Sequence, residues 1–423
     1  MKVYPFLALA VTATAAHAGS PEIAPVLDPA PESEPWVTPT LDIRARYEYG
    51  SVDNPFLESS TAFTVRERVG LKTAEWFGFS AFVEGEFLQA IDDNYAVNGN
   101  QPNVTPFNPG HTFIADPETN ELNRAWIQWK GFDTTIKGGR QRIILDNSAF
   151  IGNVGWRQDE QTFDAIGISN QSIEDLTLYY AYMNRANRIF GSDAFGALRH
   201  FAGDIHLFNI RYDGISNTSL TGYAYLMDFD ETAANRGYIS NDTFGAIAST
   251  KLDAWSFRAE AAYQTDTDSS PAFVDDSTYL HLNADYSFAG CHSVGIGWEY
   301  LDEDFVTPLA TVHAFNGFAD VFIGNRIGLA YNPGLNDVYL SHKWKTPFWG
   351  INFAQFFHVF GDNDTAFDFG WEYDAVLSKK FNDNFTAIAK FAYYDAAGPT
   401  GKLVNYAPLF DTTRVSVELN YTF

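Results

Sequence analysis

Near the N-terminus arginine recurs in the pattern Arg-x-Arg, first as Arg44 and Arg46, then as Arg66 and Arg68. A spacing of two puts both guanidinium groups of a pair on one face of an extended strand. A guanidinium grips a carboxylate through two parallel hydrogen bonds, so a row of them can conduct an anionic solute. Glu84 and Glu86 follow at the same spacing. They give the arginines a second reading, because opposite charges on neighbouring strands brace a wall. Of the 16 arginines, 12 lie at or before Arg211. Catalysis is not expected. A hydrolase needs a nucleophile beside a base, yet the nine histidines are scattered and neither G-x-S-x-G nor H-E-x-x-H occurs. The single cysteine, Cys291, excludes an intramolecular disulfide and a cysteine metal cluster.

The 423 residues carry 53 acids against 27 bases, a formal charge of −26. Nucleic acid is excluded as a partner, since its phosphates need a basic surface. Residues 1–18 read as a secretory signal peptide: Lys2, an apolar run from Val3 to Ala16, and the small-x-small site Ala16-His17-Ala18 before Gly19. Residues 19–39 are rich in Pro, Glu and Ala and read as an extended periplasmic leader. Beyond the N-terminus no apolar run is long enough for a membrane helix.

From residue 40 to 423 the dominant period is two. Leu41, Ile43, Ala45 and Tyr47 alternate with Asp42, Arg44, Arg46 and Glu48, and similar alternation runs through 254–266, 277–288 and 292–302. Each such segment has one apolar and one polar face. Three features favour a transmembrane antiparallel β-barrel over a soluble sandwich. The segments run to about 10–13 residues, the length a tilted strand needs to cross a bilayer. Short connections alternate with long ones, as periplasmic turns alternate with extracellular loops. Aromatics crowd the short turns (Trp76, Phe77, Trp129, Phe132, Trp255, Phe288, Trp344, Phe348, Trp349), where an interfacial girdle sits. Strands are predicted at about 40–50, 61–72, 76–91, 121–131, 133–145, 162–169, 175–184, 203–213, 218–228, 242–252, 254–266, 277–288, 292–302, 335–346, 348–360, 366–380, 384–396 and 411–423. That makes 18 strands. Sixteen is the alternative, because 162–169 and 175–184 are weakly patterned. The chain ends Val415-x-Val417-x-Leu419-x-Tyr421-x-Phe423, which resembles the terminal-aromatic assembly signal of Gram-negative outer-membrane proteins. The partners this implies are the outer-membrane assembly machinery, through Phe423, and outer-membrane lipid.

One long connection, 146–161, carries Phe150, Ile151, Val154 and Trp156. So apolar a loop is expected to fold into the lumen as a constriction. The elements Gly139-Arg140-Gln141, Trp156-Arg157-Gln158, Gln161-Thr162-Phe163-Asp164-Ala165 and His313-Ala314-Phe315-Asn316-Gly317-Phe318-Ala319-Asp320 resemble the alginate-export family of outer-membrane porins, whose barrel has 18 strands. The resemblance implies passive export of an anionic polysaccharide through an Arg-lined pore. It further implies that Arg140, Arg142 and Arg157 form a basic constriction, with Asp146 and Asp159 as bracing carboxylates.

The long loops depart from that family. They carry clusters such as Asp92-Asp93, Asp228-x-Asp230-Glu231, Asp275-Asp276, Asp302-Glu303-Asp304 and Asp362-x-Asp364, whereas an exporter of a polyanion needs an attractive mouth. A solvated acidic rim is the plain reading; calcium is the one ion such hard oxygen ligands could take, and no other cofactor is implied. The alternative function is a general diffusion porin for small or cationic solutes. An outer-membrane hydrolase lacks its motifs, and a secreted carbohydrate-binding β protein leaves the girdle and the last strand unexplained.

Overall fold

The computed structural model describes residues 35–97, 101–230, 239–267, 276–327, 334–363, 369–397 and 409–423. The expected signal peptide and most of the expected leader (1–34) lie outside the described residues, as do Glu231, Asp268, Asp275, Asp364 and Asp368 of the acidic loops.

Eighteen antiparallel strands form one sheet that closes on itself. In chain order, β1 (Val37–Val52), β2 (Ser60–Thr73), β3 (Phe79–Asn94), β4 (Thr119–Gly131), β5 (Thr134–Gln141), β6 (Thr162–Ile173), β7 (Leu176–Asn187), β8 (His200–Ile215) and β9 (Thr218–Phe229) make the first half. The second half comprises β10 (Asn241–Leu252), β11 (Trp255–Thr265), β12 (Ser277–Phe288), β13 (His292–Leu301), β14 (Leu335–Lys345), β15 (Ile351–Gly361), β16 (Gly370–Lys380), β17 (Phe385–Ala396) and β18 (Thr412–Thr422). Each strand pairs with its sequence neighbours, and β1 pairs with β18 from Asp42↔Thr422 to Val52↔Thr412. Closure leaves no row of unpaired backbone groups, which a bilayer could not satisfy.

The period-two pattern sets which side chains face outward. Val69, Leu71, Val83, Ile127, Ile166, Leu282, Ile296, Leu340, Val417 and Leu419 are exposed on the outer wall, while Arg44, Arg46, Glu48, Arg66, Arg68, Glu84 and Glu86 are buried inside. At the short turns Trp76, Phe77, Phe132, Phe348 and Trp349 stand free, Phe132 at 89% exposure. Phe77, Phe132 and Trp349 also take a positive φ. These bulky residues sit in tight turns where a small residue would be easier, consistent with an interfacial role that offsets the backbone cost.

The strand count settles at 18, so the 16-strand alternative falls. The two weakly patterned segments are full strands of 12 residues each, β6 and β7. Their inner face is apolar as well (Phe163, Ala181, Met183), which blurs the alternation. The strand expected at 133–145 ends at Gln141, because the chain turns into the lumen there. The first strand starts at Val37, three residues before the expected start of the barrel at residue 40.

Two long connections fill the lumen. In 142–161, residues 148–161 are buried throughout. Phe150 packs edge-on to Tyr279 and Phe305 and tilted to Tyr223. The connection 302–334, described as far as residue 327 and holding the short turns Val312–Ala314 and α1 (Ile323–Arg326), meets it from the other side. Gly152 N–H donates to Leu309 O (2.9 Å), Thr311 N–H to Ser148 O (3.0 Å), and Val154 N–H to Thr311 Oγ1 (2.8 Å).

Candidate functional site

The inner wall around β1, β2 and β18 brings most of the expected arginines to one place. Their even residue numbers put them on the inner face, and barrel closure places β18 beside β1. Arg44 and Arg66 are directly opposed across the β1–β2 ladder, and Arg46 faces Glu418 across β1–β18.

These arginines are shared between the backbone of the inward loop and the carboxylates around it. Arg44 Nη1 donates to the carbonyls of Gly155 (3.0 Å), Trp156 (3.3 Å) and Arg157 (3.0 Å), and its Nε to Asn420 Oδ1 (2.8 Å). Arg46 donates to Trp156 O and, at 2.7 Å, to Glu418 Oε2. Arg68 donates to Glu86 and, at 3.3 Å, to Gln158 O. Four consecutive carbonyls, 155–158, thus end on three guanidinium groups. Gln158 adds its own amide, which donates to Thr64 Oγ1 at 2.9 Å.

Arg157 lies in the loop itself. It pairs with Glu48 (2.9 Å), sits 3.6 Å from Asp116 and 3.5 Å from Asp320, and covers the Trp156 ring at 3.9 Å. The other face of Trp156 stacks on His313 at 3.3 Å between centroids, and His313 stacks on Phe318 at 5.0 Å. An Arg–Trp–His–Phe pile therefore welds the two loops together. His313 Nδ1 donates to Asp320 (2.7 Å), and its Nε2 accepts from Lys390 Nζ (3.0 Å). Burial and the Lys390 charge push His313 down to about 3, so the ring is neutral in the tautomer those two bonds require.

Arg140 lies apart from this cluster, and Arg142 joins it only through Glu160, which Arg68 also approaches at 3.5 Å. Arg140 is bidentate to Asp164 (2.7 and 3.1 Å), and Arg142 donates to Glu160 (2.6 Å). Their side chains keep 23% and 16% of their exposure, more than the 0–4% of Arg44, Arg46, Arg66, Arg68 and Arg157. Arg66 is the exception in its pairing. It donates to Asp42 through Nη2, while its Nε and Nη1 have no partner.

The expected braces need correction. Asp146 pairs with no arginine: it accepts from Asn209 (2.9 Å) and Tyr225 (3.5 Å) on the opposite wall. The loop turns at Asp146 itself, φ 52°, and aims the carboxyl away from the arginines. Asp159 does not brace Arg157 either. Both its oxygens are buried without a donor, and burial, Glu121 and Glu86 hold it well above the usual range. Glu84 pairs with Arg124 (2.8 Å) rather than with Arg66 or Arg68. The braces that sequence reasoning missed are Glu48, Asp116, Glu160, Asp164 and Glu418. Burial alone would raise Glu160, but Arg142 and Arg68 outweigh it and hold it well below the usual range. The signal for Glu418 was present, since it shares the inward parity of the last strand.

A second polar group, on β13–β16, was not foreseen. Arg326 donates to Glu299 (2.9 Å) and Asn316 (2.7 Å). His358 bonds Asp337 (2.9 Å) and lies 3.7 Å from Asp374. Ala319 N–H donates to Glu372 (2.6 Å). Among the described residues no group of three or more His, Cys, Asp or Glu could hold a metal ion.

A closed 18-strand antiparallel barrel with an apolar outer belt, a polar inner wall and two loops packed into its lumen is the architecture of an outer-membrane porin. The solved structures it resembles are porins of the Occ/Opd type. *Pseudomonas aeruginosa* OpdQ superposes with a TM-score of 0.64 at 14% identity, over 92% of this chain and 98% of that one. *Acinetobacter baumannii* OccAB4 gives 0.66 at 12%, over 93% and 100%. *Pseudomonas aeruginosa* OpdK, solved with vanillate, gives 0.67 at 12%, over 91% and 98%. At these identities the likeness is one of fold. No family model and no curated protein matches the sequence, so the resemblance to the alginate-export family gains no support from the comparisons.

Proposed function

We propose that the protein is a passive diffusion channel of the Gram-negative outer membrane for small solutes. The observation that carries this reading is the interlock of loops 142–161 and 302–327 inside the lumen. A channel narrowed by two packed loops suits small molecules better than a polymer. The arginines favour the same reading, because most of their donors are taken up by loop carbonyls and by wall carboxylates. This is the general-porin alternative rather than polysaccharide export, and no catalysis is assigned to it.

Among small solutes we favour those bearing a carboxylate. Arg140 and Arg142 keep part of their surface, whereas the unpartnered nitrogens of Arg66 are buried out of a solute's reach. The fold neighbour OpdK was solved with vanillate, itself a small carboxylate. Planar-bilayer recording with the anion/cation permeability ratio, joined to liposome swelling in small carboxylates and in uronate oligomers, tests the proposal. Swelling in small solutes with exclusion of the oligomers is expected. Passage of long oligomers, or absence of any conductance, overturns it.

A further inference from the structure

Charge is distributed in layers along the channel axis. On the long-connection side acids stand exposed, among them Asp93, Glu118, Asp230, Asp276 and Glu303. The exposed bases on that side, among the described residues, are Arg185 and Arg199. In the middle, where the two loops interlock, charges cancel in pairs: Arg46 with Glu418 (2.7 Å), Arg157 with Glu48 (2.9 Å) and Arg326 with Glu299 (2.9 Å).

Lysine is confined to the other end. Among the described residues every lysine except Lys390 lies close to a short turn. Strand parity gives their faces. Lys72 lies opposite Phe82 and Lys137 opposite Gln128, both buried on the inner wall, and Lys130 is two residues beyond Gln128. Lys251 shares the parity of Ile247, and Lys345 that of Asp337 and Ser341, all buried inward. Lys343 is taken up by Asp285 (3.5 Å) and Lys380 by Asp383 (2.8 Å), whereas Lys137, Lys251 and Lys345 pair with no carboxylate among the described residues. Lys137 rests 4.8 Å over the ring of Trp126. Acids on the turns, such as Glu75, Asp133 and Asp253, are exposed at the rim and offset part of this charge. Salt screens a charge on an open rim more than one held in a wall.

We propose that the channel is electrostatically bipolar: its acidic loop end admits cations, its lysine-lined short-turn end admits anions, and Lys137, Lys251 and Lys345 set the preference of that second end. Two zones of opposite charge in series rectify a current. With the long-loop side positive, cations enter through the acidic end and anions through the lysine end, so both accumulate in the neutral middle and the current is large. With the polarity reversed, each ion enters through the zone that repels it, and the middle is depleted. The arginines of the interlock, paired as they are, contribute little to this asymmetry.

This inference rests on the channel reading above, and the test tells the two apart. The full chain is refolded into a planar bilayer, and its current is compared at equal voltages of opposite sign; a protease added to one side shows where the long loops lie. In about 0.1 M KCl, where a charge acts over about 10 Å, the current should be about twofold larger with the loop side positive; in about 1 M, where it acts over about 3 Å, the asymmetry should vanish. Lys137→Gln/Lys251→Gln/Lys345→Gln should remove most of the asymmetry and lower the anion permeability, while Lys137→Arg/Lys251→Arg/Lys345→Arg keeps the charge and should behave like the wild type. Lys251→Gln/Lys345→Gln, confined to exposed side chains, serves if the triple Gln variant does not fold. A conducting channel with equal currents at low salt, an asymmetry of the opposite sign, or one that the Gln variants leave unchanged overturns the inference and leaves the channel reading standing. Absence of any conductance overturns both.

Discussion

Replacing Arg44 with Gln removes the centre of the grip on the inward loop. Arg44 is fully buried and donates to three successive loop carbonyls and to Asn420. A hydrogen bond to a neutral carbonyl is worth about 1 kcal/mol net, and somewhat more when the donor is charged. The shorter Gln side chain can keep one contact at most, so the loss is about 2–3 kcal/mol. Glu418 is not stranded, because Arg46 still holds it at 2.7 Å; the cost therefore falls on the loop and not on an orphaned charge. At about 1.4 kcal/mol per tenfold, excursions of loop 142–161 should become roughly 30- to 140-fold more frequent. The barrel wall is held by backbone ladders, so heat-modified migration on gels should be unchanged. The assay is single-channel recording of open-state current noise, paired with protease cleavage after Arg157. Noise and cleavage rates equal to those of the wild type would show that the carbonyl grip contributes nothing.

Trp156→Ala should cost about 3–5 kcal/mol of loop packing by removing the ring between Arg157 and His313. Proteolysis of both loops, and not of one alone, should accelerate; protection of loop 302–327 in this variant would refute the weld. His313 has a folded value near 3, against about 6.5 free, so the released loop binds a proton that the packed loop refuses. The joint should therefore weaken as pH falls below about 6.5, and His313→Phe, which keeps the stack, should abolish that acid-induced noise. On the outer wall, Leu340→Arg places a charge on the exposed apolar belt and should destabilise the folded barrel by up to about 2–4 kcal/mol in denaturant titrations from lipid vesicles. A neutral result there would mean that this face does not contact hydrocarbon.

The sequence by itself determined the strands, their faces and the barrel. Alternation is local, so Ile43 and Ala45 against Arg44 and Arg46 could be read without knowing any neighbour. Length and turn aromatics such as Phe132 and Trp349 then separated a membrane wall from a soluble sandwich. The inward course of 146–161 was legible too, because Phe150, Ile151 and Trp156 have no place in water. What each charge does was decided only by closure and by the loops. Glu418 meets Arg46 across 372 residues of chain, a contact that exists only because the last strand zips to the first. Asp146 and Asp159 look equivalent as acids beside arginines in sequence, yet one turn at Asp146 sends the first to Asn209, and burial beside Glu86 strips the second of any donor. The hydrogen bonds from Phe318 and Ala319 N–H to Asp374 and Glu372 could not be read at all. It uses backbone N–H groups, which every non-proline residue carries, and only the folded path of the loop selects which of them meet Glu372 and Asp374.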